Sequence, residues 1–147
     1  GIFVTDKWSE IPQKNSSSNY VVSEYIANPL LLNGYKFDMR IYVVITCINP
    51  LRVYIYEEGL ARFATVKYTQ GADGTANKGK FMHLTNYSIN KKNAAFQGSK
   101  NEIIDGEGSK WSISALKKLM SQLGIDPKPM WRNIEDIIIK TLISAEP

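Results

Sequence analysis

Hydrophobic and polar positions alternate with period two in the first half of the chain and with a period near 3.6 in the last third. β-Branched and aromatic runs predict strands over 1–5, 20–26, 41–48, 52–57 and 61–66. The third and fourth are joined by Asn49-Pro50-Leu51, a turn composition that predicts an antiparallel hairpin. Glu58-Gly59 then predicts a second turn, and with it a three-stranded meander. Polar or glycine-rich stretches at about 7–19, 69–80 and 91–110 have no period and too few apolar positions to pack; they predict flexible loops.

In the last third, Ile113, Leu116, Leu119, Met120 and Leu123 share one helical face, which predicts a helix over 112–123 ended by Gly124. Pro127 and Pro129 restart the chain, and Ile134, Ile137, Ile138 and Leu142 predict a second helix over 131–144. Both apolar stripes are expected to be core. Strands that precede helices predict an α+β fold, an antiparallel sheet covered by the C-terminal helices. The chain opens on Gly1 inside a strand pattern and closes just after a helix, so a piece of a longer protein is expected.

Composition narrows the partners. With 147 residues and 44% hydrophobic content the chain can bury one core, and 11% aromatics argue against disorder. A net charge of +4 favours acidic partners. The basic residues are scattered rather than blocked, so nucleic acid is not expected as a partner. No apolar run is long enough to predict a membrane span. Cys47 is the only cysteine and cannot form a disulfide within the chain, which favours a reduced, cytoplasmic setting.

Four segments carry candidate chemistry. Lys36-Phe37-Asp38-Met39-Arg40 enters a strand, so Lys36, Asp38 and Arg40 share one face while Phe37 and Met39 share the other. A polar face with a buried back can hold a polyanion such as a nucleotide phosphate; the plain alternative is an edge strand with a local ion pair. Asn28-Pro29 ends the run Val21–Ile26 and leaves backbone groups that could read an adenine edge, or merely marks a turn. Between 81 and 90, His83 is followed by Thr85, Asn86, Tyr87, Ser88 and Asn90, uncharged hydrogen-bonders suited to ribose, phosphate and amino-acid groups. Arg62 stands among Leu60, Ala61 and Phe63, where it either snorkels or grips a carboxylate or phosphate. Lys67 and Lys110 are further cations of interest. With a single His and a single Cys, neither a zinc site nor a Ser-His-Asp triad is expected, and no GxxxxGK[ST] phosphate loop is present.

Taken together, SEYIANPLLLNGYKFDMRIYVVIT, YEEGLARFATVKY, KFMHLTNYSINKKN, SKWSISALKKLM and IIIKTLISAEP resemble the tubulin tyrosine ligase-like family of the ATP-grasp superfamily, most closely its tubulin polyglutamylases. The resemblance covers nearly the whole chain and implies that residues 1–147 are the central part of an ATP-grasp-like catalytic domain. It implies an ATP-dependent acid–amino-acid ligase that joins free L-glutamate, through an acyl phosphate and an isopeptide bond, to glutamate side chains of acidic tubulin C-terminal tails. The same resemblance implies a monomer in the cytoplasm on microtubules, with cilium, flagellum or basal body as candidate sites.

The family pattern places the adenine hinge on Ser23, Glu24, Tyr25 and Ile26, and sets Lys36, Phe37, Asp38, Thr85 and Asn86 at the nucleotide. It matches Arg62 to the amino-acid-binding arginine, with Tyr87, Ser88 and Lys110 beside the amino acid, and makes Arg40 a phosphate or substrate contact. Arg62 and Arg40 are the implied catalytic cations. ATP and Mg2+ are the implied cofactors, the metal ligands being expected beyond Pro147, so that the isolated chain is expected to be inactive. Glycine or tyrosine ligation on the same fold, and a tubulin-binding module without turnover, are the alternatives.

Overall fold

The computed structural model describes residues 2–11, 20–70, 79–94 and 105–145. Its centre is a four-stranded antiparallel sheet in the order β1 (Leu31–Leu32), β2 (Tyr35–Cys47), β3 (Arg52–Phe63) and β4 (Lys110–Ser112). The expected hairpin is there: β2 and β3 pair along most of their length on either side of Asn49-Pro50. Asn33 and Gly34, both at positive φ, make the tight turn that lets Leu32 pair with Tyr35.

Three strand expectations are corrected. The chain does not turn at Glu58-Gly59; β3 continues through it with an irregularity in its register against β2 between Ile41 and Val43, and the two strands expected over 52–57 and 61–66 are one. Gly59 is there because the backbone of β2 passes too close for a side chain, as the register Ile41 to Gly59 requires. Residues 2–5 and 20–26 belong to no strand. Their apolar residues lie largely exposed, because alternation alone supplies no partner edge. The loops expected at about 7–19, 69–80 and 91–110 fall mostly outside the described residues.

Alternation does sort the centre of the sheet as expected. Phe37, Met39 and Ile41 of β2 pack with Ala61 and Phe63 of β3 and Trp111 of β4 against one hydrophobic cluster. Helix α3 (Ile113–Gln122) closes that cluster with Ile113, Leu116 and Met120, all at or below 1% exposed. Burying each contributes about 2 kcal/mol. Ser112 caps α3, its hydroxyl accepting from Ala115 N at 3.1 Å. The helix ends in a Schellman motif at Gly124, with Ile125 N donating to Met120 O at 2.9 Å and Gly124 N to Ser121 O at 3.1 Å.

Helix α4 (Lys128–Ser144) starts three residues earlier than expected, with proline in its first turn. Met130 and Trp131 reach the core, but α4 contributes no buried residue, and Ile137, Ile139 and Ile143 are exposed. The expectation that both helical stripes are core therefore holds for α3 as far as Met120, with Leu123 left exposed, and fails for α4. Two short helices, α1 (Gly79–His83) and α2 (Tyr87–Asn90), lie within the polar segment beside the other face of the sheet.

Candidate functional site

The face of the sheet opposite the core carries the charge. Asp38 of β2 stands beside Arg62 of β3, and Arg62 beside Lys110 of β4, so one row across three strands reads carboxylate, guanidinium, ammonium. Asp38 Oδ1 accepts from Arg62 Nε at 2.8 Å, and Asp38 Oδ2 accepts from Nη2, a side-on bidentate pair. Hydrogen bonding by Asp38 holds the Arg62 guanidinium above its ordinary pKa, against the smaller opposing effect of burial.

Two residues along β2, Lys36 is tied into a second cluster. Its Nζ donates to the backbone oxygen of His83 at 3.0 Å and to the Tyr25 hydroxyl at 3.1 Å, and lies 4.5 Å from the Tyr25 ring centre. The Tyr25 hydroxyl also meets His83 Nδ1 at 2.7 Å. Both Tyr25 and Tyr68 present their rings edge-on to the buried His83. Burial pulls the Lys36 ammonium below the usual lysine value, with Asp38 opposing that shift. The Tyr25 phenol is pushed well up, chiefly by burial and then by Tyr68. His83 is thus a packed, hydrogen-bonded residue, as a lone histidine is expected to be.

The polar segment is locked to the sheet by Asn90. This side chain is 1% exposed, and it donates to Leu84 O at 2.7 Å and Asn86 O at 3.2 Å. Its Oδ1 accepts from Thr65 Oγ1 at 2.7 Å and Thr65 N at 3.2 Å. Thr85 and Tyr87 are thereby held against the end of β3. Between them and the sheet lies a cavity of about 190 Å³ lined by Leu60, Arg62, Thr85, Tyr87, Asn90, Ser109 and Lys110.

Of the expected site residues, the structure gathers Arg62, Thr85, Tyr87 and Lys110 around one cavity and joins Asp38 to them through Arg62. Tyr25 and Lys36 meet in the neighbouring cluster. Asn86 lies between α1 and α2 and accepts backbone bonds from Ile89 and Asn90. Arg40 is exposed and forms no ion pair among the described residues, and Ser88 is exposed and does not line the cavity. Ser23, Glu24 and Ile26 are exposed on a segment outside the sheet. The Phe37 ring packs 5.7 Å from that of Phe63 on the core side. Ser109 and the clamp of Asn90 on Thr65 were not expected. A buried asparagine on a four-residue helix leaves no periodic trace; the one available signal was the Asn86–Asn90 spacing of one helical turn.

A model of the tubulin-tyrosine ligase family matches residues 1–147, and the chain belongs to that family. The α+β, ATP-grasp-like class implied by the resemblance holds. Over 146 residues the chain is 46% identical to tubulin polyglutamylase TTLL5 of Homo sapiens, covering 99% of this chain and 11% of that protein. It is 44% identical over 147 residues to human tubulin monoglutamylase TTLL4, covering all of this chain and 12% of that protein. A probable beta-tubulin polyglutamylase of Tetrahymena thermophila is 42% identical, with the same coverages. The chain thus spans about one-eighth of the length of these relatives. No helix among the described residues is long and apolar enough to cross a membrane.

Proposed function

We propose that this chain is the central portion of an ATP-dependent ligase that joins L-glutamate to glutamate side chains of acidic tubulin tails, working in the cytoplasm on microtubules. The observation that carries the proposal is the row Asp38–Arg62–Lys110 beside the cavity. Free glutamate has two carboxylates, and two cations one strand apart suit both. Two of the five guanidinium donors go to Asp38, which leaves three for an α-carboxylate, and Lys110 is the partner of the side-chain carboxylate. Thr85 and Tyr87 add hydroxyls on the cavity wall.

When bound, ATP supplies the phosphoryl group that activates the acceptor carboxylate for attack by the glutamate amine. Lys36 is the cation for its phosphates, anchored by Tyr25 and His83, and Arg40 is a further contact for the phosphate or the acidic tail. The exposed segment Ser23, Glu24 and Ile26, with Tyr25, is proposed for the adenine, and Asn86 and Ser88 for the flanks of the two ligands. Among the described residues no group of three or more His, Cys, Asp or Glu side chains is placed to hold a metal ion. Magnesium therefore stays an expectation of the family resemblance and takes no step here.

The test gives the intact protein ATP, tubulin and, in turn, labelled glutamate, glycine or tyrosine, with the product read by mass spectrometry. ATP-dependent addition of glutamate to the tail supports the proposal. Addition of glycine or tyrosine alone, or tubulin binding without any addition, overturns it. Lys110→Ala is expected to lower glutamate use by about tenfold, the loss of one charge-assisted contact.

A further inference from the structure

The family resemblance sets Asp38 at the nucleotide, yet in the structure both of its carboxylate oxygens are engaged by Arg62. We propose that Asp38 is a positioning residue of the amino-acid subsite, holding the Arg62 guanidinium at the cavity wall between Asp38 and Lys110. This inference rests on the ligase function proposed above. The two residues are direct partners across β2 and β3, so the strand register alone brings them together. The Arg62 and Asp38 side chains are 25% and 36% exposed, which shields the pair from full solvent screening.

The geometry has a consequence for binding. A free arginine side chain carries about 2 kcal/mol of rotamer entropy that a ligand must otherwise quench. Side-on pairing fixes the guanidinium plane before any substrate arrives, and the remaining N–H donors then face a carboxylate in a set orientation. Lysine cannot take this role, because its ammonium has no planar fork. The pair also bridges the strand that holds Lys36 and the strand that lines the cavity, so it joins the proposed nucleotide and amino-acid subsites. An ordinary surface ion pair would do none of this and would matter only to stability.

The experiment measures the KM of glutamate and the KM of ATP for the intact enzyme, Asp38→Asn, Arg62→Lys and the double variant. Asp38→Asn is expected to raise the glutamate KM about tenfold and the ATP KM less than about twofold. The double variant is expected to be about as impaired as Arg62→Lys alone, because the losses share one interaction. An Asp38→Asn enzyme whose ATP KM rises while its glutamate KM holds overturns the proposal, and so do single losses that multiply in the double variant. Unchanged KM values with a lowered melting temperature overturn it too, leaving a merely structural pair. Should Asp38→Asn not fold by circular dichroism, Asp38→Glu keeps the charge on a longer arm and is judged by the same split. A wild-type enzyme without ATP-dependent glutamate incorporation refutes the ligase function itself before any variant is compared, and removes this inference with it.

Discussion

The backbone of Gly59 in β3 lies directly against the carbonyl oxygen of Arg40 in β2. A Cβ built on Gly59 would fall well inside contact distance of that oxygen and 3.2 Å from Ile113 Cγ1. The one direction a side chain could take from this glycine is thus blocked by the neighbouring strand and by the core together. Gly59→Ala must separate β2 from β3 and also crowd Ile113, and both flank the row that carries Asp38 and Arg62.

The expected cost of Gly59→Ala is about 2 kcal/mol or more, as for overpacking in a closed core. Urea denaturation of the intact protein measures it. A midpoint equal to wild type would mean that the two strands have room to part and that the glycine is not required there.

Asn90 holds the cavity wall by four hydrogen bonds from a fully buried site. Asn90→Ala strands the Leu84 carbonyl and takes from the Thr65 hydroxyl its acceptor, while the Thr65 amide keeps its bond to Phe81 O, and is expected to cost about 2–3 kcal/mol. Asn90→Asp keeps the shape but turns an acceptor towards the Leu84 and Asn86 carbonyls, so it is expected to cost at least as much. The exposed Lys118→Ala on α3 is the comparison, expected to stay within about 0.5 kcal/mol in the same denaturation series. Equal midpoints for Asn90→Ala and Lys118→Ala would remove Asn90 from its clamping role.

What the sequence made legible follows from what is local. Lys36 to Ile41 declared their two faces by alternation, and α3 declared its stripe and its glycine stop. Gly59 misled, because a glycine after two glutamates looks the same whether it turns a chain or admits a neighbouring backbone. Residues 20–26 misled because a strand needs a partner edge that no local pattern supplies. The site was legible as residue types and, through the family resemblance, as roles. The pairing of Asp38 with Arg62 was not, since it depends on the register of β2 against β3 across 24 residues. Asn90 and Thr65 were hidden for the same reason.

Glu58 links β3 to the start of α3, its carboxylate accepting from the Ser114 hydroxyl and, at 3.3 Å, from Ser114 N. Hydrogen bonding from Ser114 holds the carboxyl below its ordinary value of 4.5, more than the opposing burial raises it. A carboxylate with a lowered folded pKa stabilises the fold above its unfolded value and loses that contribution as pH falls through the folded one. Glu58→Gln should therefore be less stable than wild type at pH 7, with the gap closing as the pH drops below 4.5. Urea midpoints at several pH values measure this. A gap that stays constant into acid would show that charge at Glu58 plays no part.

Lys36 gives the opposite sign. Burial lowers its pKa from 10.5, so the folded protein releases this proton at a lower pH than the unfolded chain does. Between those two values the unfolded chain binds more protons, and the stability contributed by Lys36 rises with pH. Nucleotide binding should move the other way, because the proposed phosphate cation is being lost. The ATP KM of the intact enzyme is therefore expected to climb on the alkaline side before pH 10.5, while the fold gains stability from this residue. Tyr25 does not confuse the experiment, since its phenol is pushed above its ordinary value of 10.0. Lys36→Arg stays charged throughout, so its ATP KM should be raised but flat over the same range. It is raised because a guanidinium cannot reproduce the two bonds from Nζ to Tyr25 and His83. An alkaline rise that persists unchanged in Lys36→Arg would take the nucleotide role away from Lys36.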